Sequence, residues 1–116
     1  MIFVFVCVTV NSSNLPQAQS LFRSMVGATL VESGCRDCRL WCGDGSPTQL
    51  MLLEEWEAQE DMERHFRSPM CQRVLAAMEM SSVAPEIRFL EVTRERGLEW
   101  IEQVRIEASS DSEVRG

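Results

Sequence analysis

Apolar residues run almost unbroken from Ile2 to Val10, a stretch of Val, Phe and Ile interrupted only by Thr9. A segment this apolar fits a strand covered on both faces better than one with a wet side. In a small domain one cover is the chain's own helices, and the second is most simply the same sheet of another subunit, so the run predicts a homodimer. After Asn11-Ser12-Ser13-Asn14 the spacing changes, and Ala18, Leu21, Phe22, Met25 and Thr29 fall on one helical face. Asn14 is placed to cap this helix, Pro16 to sit in its first turn, Gln17 to complete a capping box and Gly34 to terminate it.

Cys35 to Cys42 reads as a strand, Gly43-Asp44-Gly45-Ser46-Pro47 as a hairpin turn, and Thr48 to Trp56 as the returning strand. Alternation on the return puts Leu50, Leu52, Glu54 and Trp56 on one face, with Met51, Leu53 and Glu55 on the other. Ala58, Met62 and Phe66 then give a helical stripe with His65 on its flank. Ser68-Pro69 breaks and restarts the helix, Ser68 as cap and Pro69 at its first position, and Cys71, Val74, Leu75 and Met78 form the next core-facing stripe. Pro85 precedes a last strand from Glu86 to Thr93.

The order β-α-β-β-α-β, with its second helix broken in two, predicts an α+β, ferredoxin-like domain with a four-stranded antiparallel sheet over residues 1–93. Residues 94–106 form an appendage. Leu98, Ile101 and Val104 suit a helix there, while Trp100, Glu102, Val104 and Ile106 suit a strand, and helix is the favoured reading. Residues 107–116 are expected to be a disordered tail.

At 116 residues the chain has room for one domain and one core. Its formal charge of -7, with every one of its 11 basic residues an arginine scattered among 18 acids, leaves no basic stripe, so nucleic acid is not an expected partner. The apolar start lacks the positive flank and cleavage site of a signal peptide and is too short to span a bilayer, which predicts a cytoplasmic protein with no membrane partner. Five cysteines do not make a disulfide framework, and reduced thiols are expected. Cys35, Cys38 and Cys42 invite a metal reading, but on a regular strand Cys35 and Cys38 point to opposite faces. Cys38 and Cys42 then lie about 13 Å apart, so no metal is expected.

His65 is the only side chain whose ordinary pKa lies near neutrality, which makes it the candidate base or hydrogen-bond donor; a structural role, capping a nearby carbonyl or pairing with an acid, is the alternative. Glu54 and Trp56 share a face and could line a pocket, or Trp56 could be core and Glu54 a partner for Arg88 or another arginine. Arg88 could fix an anionic substrate oxygen or pair with a carboxylate. Phe66, beside His65, is a further candidate substrate contact.

Glu54-Glu55-Trp56, the acidic helix Ala58 to Arg67 with its His65, Ser68-Pro69 and the helix beyond, together with Gly34-Cys35 and Ile87-Arg88-Phe89-Leu90-Glu91, resemble the antibiotic biosynthesis monooxygenase domain family. The resemblance covers roughly Met1 to Thr93. It implies a dimeric α/β barrel and, in the cofactor-independent members, oxidation of phenolic or quinol-type compounds by molecular oxygen. A base there deprotonates the substrate, whose anion gives an electron to oxygen; His65, Trp56 and Arg88 could fill the roles of base, pocket wall and anion stabiliser. The chain departs from the family pattern in having no tyrosine and in having Met70 where some relatives have histidine. The haem-degrading branch looks for Asn, Trp and His where this chain has Val8, His65 and no second histidine. No phosphate-binding glycine loop is present, and no cofactor is expected. The expected activity is therefore a cofactor-independent monooxygenase with a small hydrophobic aromatic substrate; the alternative is a non-catalytic dimer that binds a small molecule or a protein partner.

Overall fold

The apolar run of residues 2–10 lies at the centre of a four-stranded sheet in the computed structural model, which describes residues 1–115, with side chains through residue 109. In chain order the elements are β1 (Ile2–Val10), α1 (Leu15–Leu30), β2 (Cys35–Cys42), β3 (Thr48–Trp56), α2 (Gln59–Phe66), α3 (Pro69–Glu79), β4 (Glu86–Glu91) and α4 (Leu98–Arg115). The sheet order is β2-β3-β1-β4 and every pairing is antiparallel. This is the ferredoxin-like fold, with α1, α2 and α3 on one face of the sheet.

Side-chain alternation decides which residues meet the helices. Val4, Val6, Val8 and Val10 of β1 stand opposite Glu54, Leu52, Leu50 and Thr48 of β3, and all eight are buried. Ala18, Phe22 and Met25 of α1 pack onto this face, as does Val74 of α3. The opposite face carries Phe3, Phe5, Leu53, Met51, Trp41 and Leu90, paired across the strands and covered by no helix of this core.

Several local details differ from expectation. Asn14 occupies the cap position of α1, but its backbone is helical (φ -100°, ψ -10°) and its side chain makes no capping bond. A cap must leave the helical region to aim its oxygen at the first turn, so no capping box forms. Ser68 likewise precedes α3 without capping it; its hydroxyl turns back and donates to the His65 carbonyl at 2.6 Å. Gly34 does not end α1, which closes at Leu30; it holds φ +82° in the turn before β2. A side chain there would also run into the Asp61 carboxylate of α2.

In β2 a bulge between Cys35 and Asp37 pairs Cys35 with Trp56 and Cys38 with Glu54. The two cysteines therefore share the helix-facing side, contrary to the regular alternation assumed for them. β4 stops at Glu91, two residues short of its expected end. Beyond it, α4 runs helically across the stretch expected to be a tail, supported by a Gln103–Glu107 side-chain bond of 3.1 Å one turn apart; Gly116 lies outside the described residues.

Candidate active site

Beyond Thr48 at its start, the helix-facing side of β3 is apolar except at Glu54, and burying a carboxylate there costs several kcal/mol unless partners satisfy it. Two partners are present. Trp56, two residues on and therefore on the same face, donates its indole Nε1–H to Glu54 Oε1 at 3.0 Å. His65 Nε2 lies 3.4 Å from Glu54 Oε2.

His65 reaches this position because α2 is turned so that Met62 and His65, three residues apart, face inward. Phe66, expected on the inward stripe, sits at the rim instead, its ring 5.8 Å from that of Phe89. Instead of flanking the buried face, the imidazole is wholly enclosed, at 1% exposure. It packs 4.9 Å from the Trp56 ring, and its other nitrogen, Nδ1, lies 2.6 Å from Glu32 Oε2. Glu32 belongs to the turn between α1 and β2. One imidazole thus lies between two carboxylates from different parts of the chain.

Burial disfavours a charge on the ring, but Glu54 and then Glu32 outweigh it and hold the His65 pKa above its ordinary 6.5. The position of His65 in the last turn of α2 acts in the same direction, since a helix C-terminus favours a cation. His65 is therefore poised as an imidazolium that becomes a base as pH rises.

This cluster opens onto a cavity of about 320 Å³ between the sheet and the helices, lined by Val4, Val6, Ile87 and Phe89 from the sheet and Phe66, Cys71, Val74, Leu75 and Met78 from the helices. The α3 stripe predicted as core joins it through Val74 and Met78 and also walls this cavity, with Leu75 half exposed. Among the described residues, Glu54 and His65 are its only charged or titratable lining groups besides the Cys71 thiol. Burial raises the pKa of that thiol, and Glu54 and Glu32 raise it further, so it stays protonated at neutral pH.

Of the residues singled out in the sequence, His65, Glu54 and Phe66 line the cavity, and Trp56 stands behind them, fully buried and holding Glu54. Arg88 does not join them. It is paired across the sheet with Phe5, on the face away from the helices, and forms an ion pair with Glu86 at 2.7 Å. The anion stabiliser expected from it is therefore absent from the cavity, and Glu54 has Trp56 and His65 as partners in its place. Glu32 was missed, because 33 positions separate it from His65 and no local pattern links them. Among the described residues no group of three or more His, Cys, Asp or Glu side chains is placed to hold a metal ion, and no helix is long and apolar enough to cross a membrane.

A ferredoxin-like sheet with an apolar cavity and one buried imidazole under its helices defines a class of small α+β domains. The chain matches the antibiotic biosynthesis monooxygenase family over residues 1–77 and belongs to that family. Its fold is similar to that of a Deinococcus radiodurans protein provisionally described as an antibiotic biosynthesis monooxygenase, with 17% identity, a TM-score of 0.74, and 84% of this chain and 98% of that one covered. A Mycobacterium tuberculosis protein is similar at 18% identity and a TM-score of 0.73, over 83% of this chain and 98% of that one. A conserved protein from Methanosarcina mazei shares 25% identity with a TM-score of 0.70, covering 78% and 90% of the two chains. No curated protein matches the chain.

Proposed function

We propose that this protein is a homodimeric, cofactor-independent monooxygenase that oxidises a small, neutral aromatic compound of quinol type with molecular oxygen. The observation that carries the reading is a single imidazole, buried against two carboxylates, at the floor of an otherwise apolar cavity. Such a site can take a proton from an electron-rich phenol or activated methylene while keeping water out.

In this mechanism the substrate proton passes to His65 Nε2, and the substrate anion transfers one electron to oxygen. The resulting radicals combine to a peroxide anion, which takes back the proton held on His65 Nε2. The hydroperoxide then loses water, its O–O bond breaking as the remaining hydrogen leaves the oxidised carbon, and a carbonyl is left. With Arg88 on the other face of the sheet, stabilisation of the substrate anion falls to the His65 imidazolium. Glu54 in the cavity lining, with Glu32 behind the imidazole, also selects against anionic substrates. The face bearing Phe3, Phe5, Leu53 and Leu90 supports a dimer in which two sheets pack on each other.

Oxygen uptake by the purified protein with a panel of anthrones and hydroquinones, beside His65→Ala, tests the proposal. Uptake that falls at least a hundredfold in the variant is the expected result. Tight binding of the same compounds with no uptake favours a second reading, a binding dimer. The exposed Leu98, Trp100, Ile101 and Val104 of α4 support that reading as a surface for a protein partner.

A further inference from the structure

We propose that Glu32 is a positioning residue of this site: its carboxylate holds the proton of His65 on Nδ1, which leaves Nε2 as the nitrogen that exchanges a proton with a molecule in the cavity. The role in turnover rests on the reading of His65 as the base, whereas the placement of the proton can be tested without turnover.

Two carboxylates compete for the ring, and the geometry ranks them. Glu32 Oε2 lies 2.6 Å from Nδ1, the separation of a short charge-assisted hydrogen bond. An ionised carboxylate can only accept, so Nδ1 carries the hydrogen. On the other side, Glu54 Oε2 is 3.4 Å from Nε2, and that nitrogen is buried with no hydrogen-bond partner among the described residues. Glu54 is already engaged through its other oxygen by the Trp56 indole. When the imidazolium gives up a proton, it therefore loses the loosely held one on Nε2. The neutral ring keeps Nδ1–H and presents a lone pair on the side of the ring facing Glu54, which lines the cavity.

Glu32 is itself held in place. Its backbone N–H donates to the Thr29 carbonyl at 3.0 Å, and its own carbonyl accepts from Cys35 N–H at 3.1 Å. Gly34, in the same turn, lets the chain pass against Asp61 of α2, one helical turn before His65. The side chain of Glu32 is 29% exposed and that of His65 1%, so solvent reaches this pair from the Glu32 side. Other titratable groups nearby are the Cys71 thiol of α3 and the Cys35 and Cys38 thiols of β2, all raised by burial and by Glu54 and Glu32. On α2 itself, Asp61 is paired with Arg64 at 3.0 Å. None of these is bonded to the ring.

The proton inventory is simple. A substrate proton adds to Nε2, giving an imidazolium whose two N–H groups face Glu32 and Glu54. The same proton leaves from Nε2 when the product forms, and Nδ1 keeps its hydrogen throughout. Glu32 orients the ring and stabilises the charge that develops on it, as the third member of a hydrolase triad does for its histidine.

His65 is the chain's only histidine, so nitrogen NMR of protein made with isotope-labelled histidine reports one imidazole. Above its titration midpoint, wild type should show the hydrogen on Nδ1 and a bare Nε2. Glu32→Gln keeps an oxygen that can accept from Nδ1–H but removes the charge. Its His65 midpoint should fall, and with any substrate that is turned over kcat should drop about a hundredfold with KM little changed. Glu32→Asp should recover part of both. A wild-type ring with its hydrogen on Nε2, or a Glu32→Gln protein with unchanged midpoint and rate, overturns the proposal. Should no substrate be turned over, the oxygenase reading fails by itself and the NMR result still decides the role of Glu32.

Discussion

Trp56 and Glu54, two residues apart on the helix-facing side of β3, form a buried pair in which the indole N–H donates to the carboxylate at 3.0 Å. At full burial the tryptophan anchors the core through its ring and the site through one nitrogen, and the carboxylate it steadies is the same one that faces His65.

Replacing Trp56 with Phe keeps most of the ring packing but strands one oxygen of a buried carboxylate. The expected loss of stability is about 2–4 kcal/mol, combining the missing hydrogen bond with the small cavity left behind. Urea denaturation monitored by circular dichroism measures it. A midpoint equal to that of wild type would mean that Glu54 is satisfied by another group.

His65 should make stability depend on pH in one direction. Its folded pKa lies above the ordinary 6.5, so folding binds the proton more tightly than the unfolded chain does. The contribution is fully present below about pH 6.5 and is lost as pH rises through the raised folded value. Thermal melts of wild type should therefore fall relative to those of His65→Gln as pH increases over this window. Parallel curves for the two proteins would show that the ring is neutral or freely titrating in the fold.

Gly34→Ala combines a positive φ with a direct clash against Asp61, and relieving that clash requires α2 to move. A loss of at least about 1–3 kcal/mol is expected from the backbone strain alone. Because α2 carries His65, the His65–Glu32 contact should be disturbed as well, which the histidine NMR signal reads directly. An intact signal and an unchanged melt would mean that the Gly34 turn gives way without displacing the helix.

Arg88 and Leu90 separate the two faces of the sheet in a testable way. Both lie on the face away from the helices, opposite Phe5 and Phe3 respectively. Leu90→Arg should dissociate the proposed dimer, as followed by sedimentation, because it places charge in the apolar face. Arg88→Ala should leave ligand affinity in the cavity within a factor of two or so, since surface changes remote from a site shift free energies by about 0.5 kcal/mol or less. A large loss of ligand affinity in Arg88→Ala would place the binding site on the other face.

The strands were legible from an almost unbroken apolar run in β1, clean alternation in β3 and the turn residues between β2 and β3. β2 and β3 lie where the run from Cys35 to Trp56 and its Gly-Asp-Gly-Ser-Pro turn predict them. The same rule would have placed Arg88 correctly, for its neighbours Ile87 and Phe89 are the residues that face the cavity, and parity sends Arg88 the other way. What local pattern could not show was anything that depends on one irregular residue or on distant chain segments. The bulge in β2 reverses the parity of Cys35 relative to Cys38. The rotation of α2 follows from two carboxylates that meet His65 from outside the helix. Glu32, in a turn with no motif of its own, gains its significance only once β3 and α2 have brought the imidazole to it.

The break between α2 and α3 at Ser68-Pro69 assigns two tasks to two separate helices. α2 bears the buried histidine and is clamped by the Glu32 turn, while α3 contributes Cys71, Val74, Leu75 and Met78 to the wall and, among the described residues, touches none of that clamp through a side-chain hydrogen bond. Exchanges along α3 can therefore reshape the compartment while the imidazole keeps its partners. If the proposed activity holds, a lineage built on this plan would diversify what it accepts by drifting at a few aliphatic positions, without rebuilding the clamp around His65.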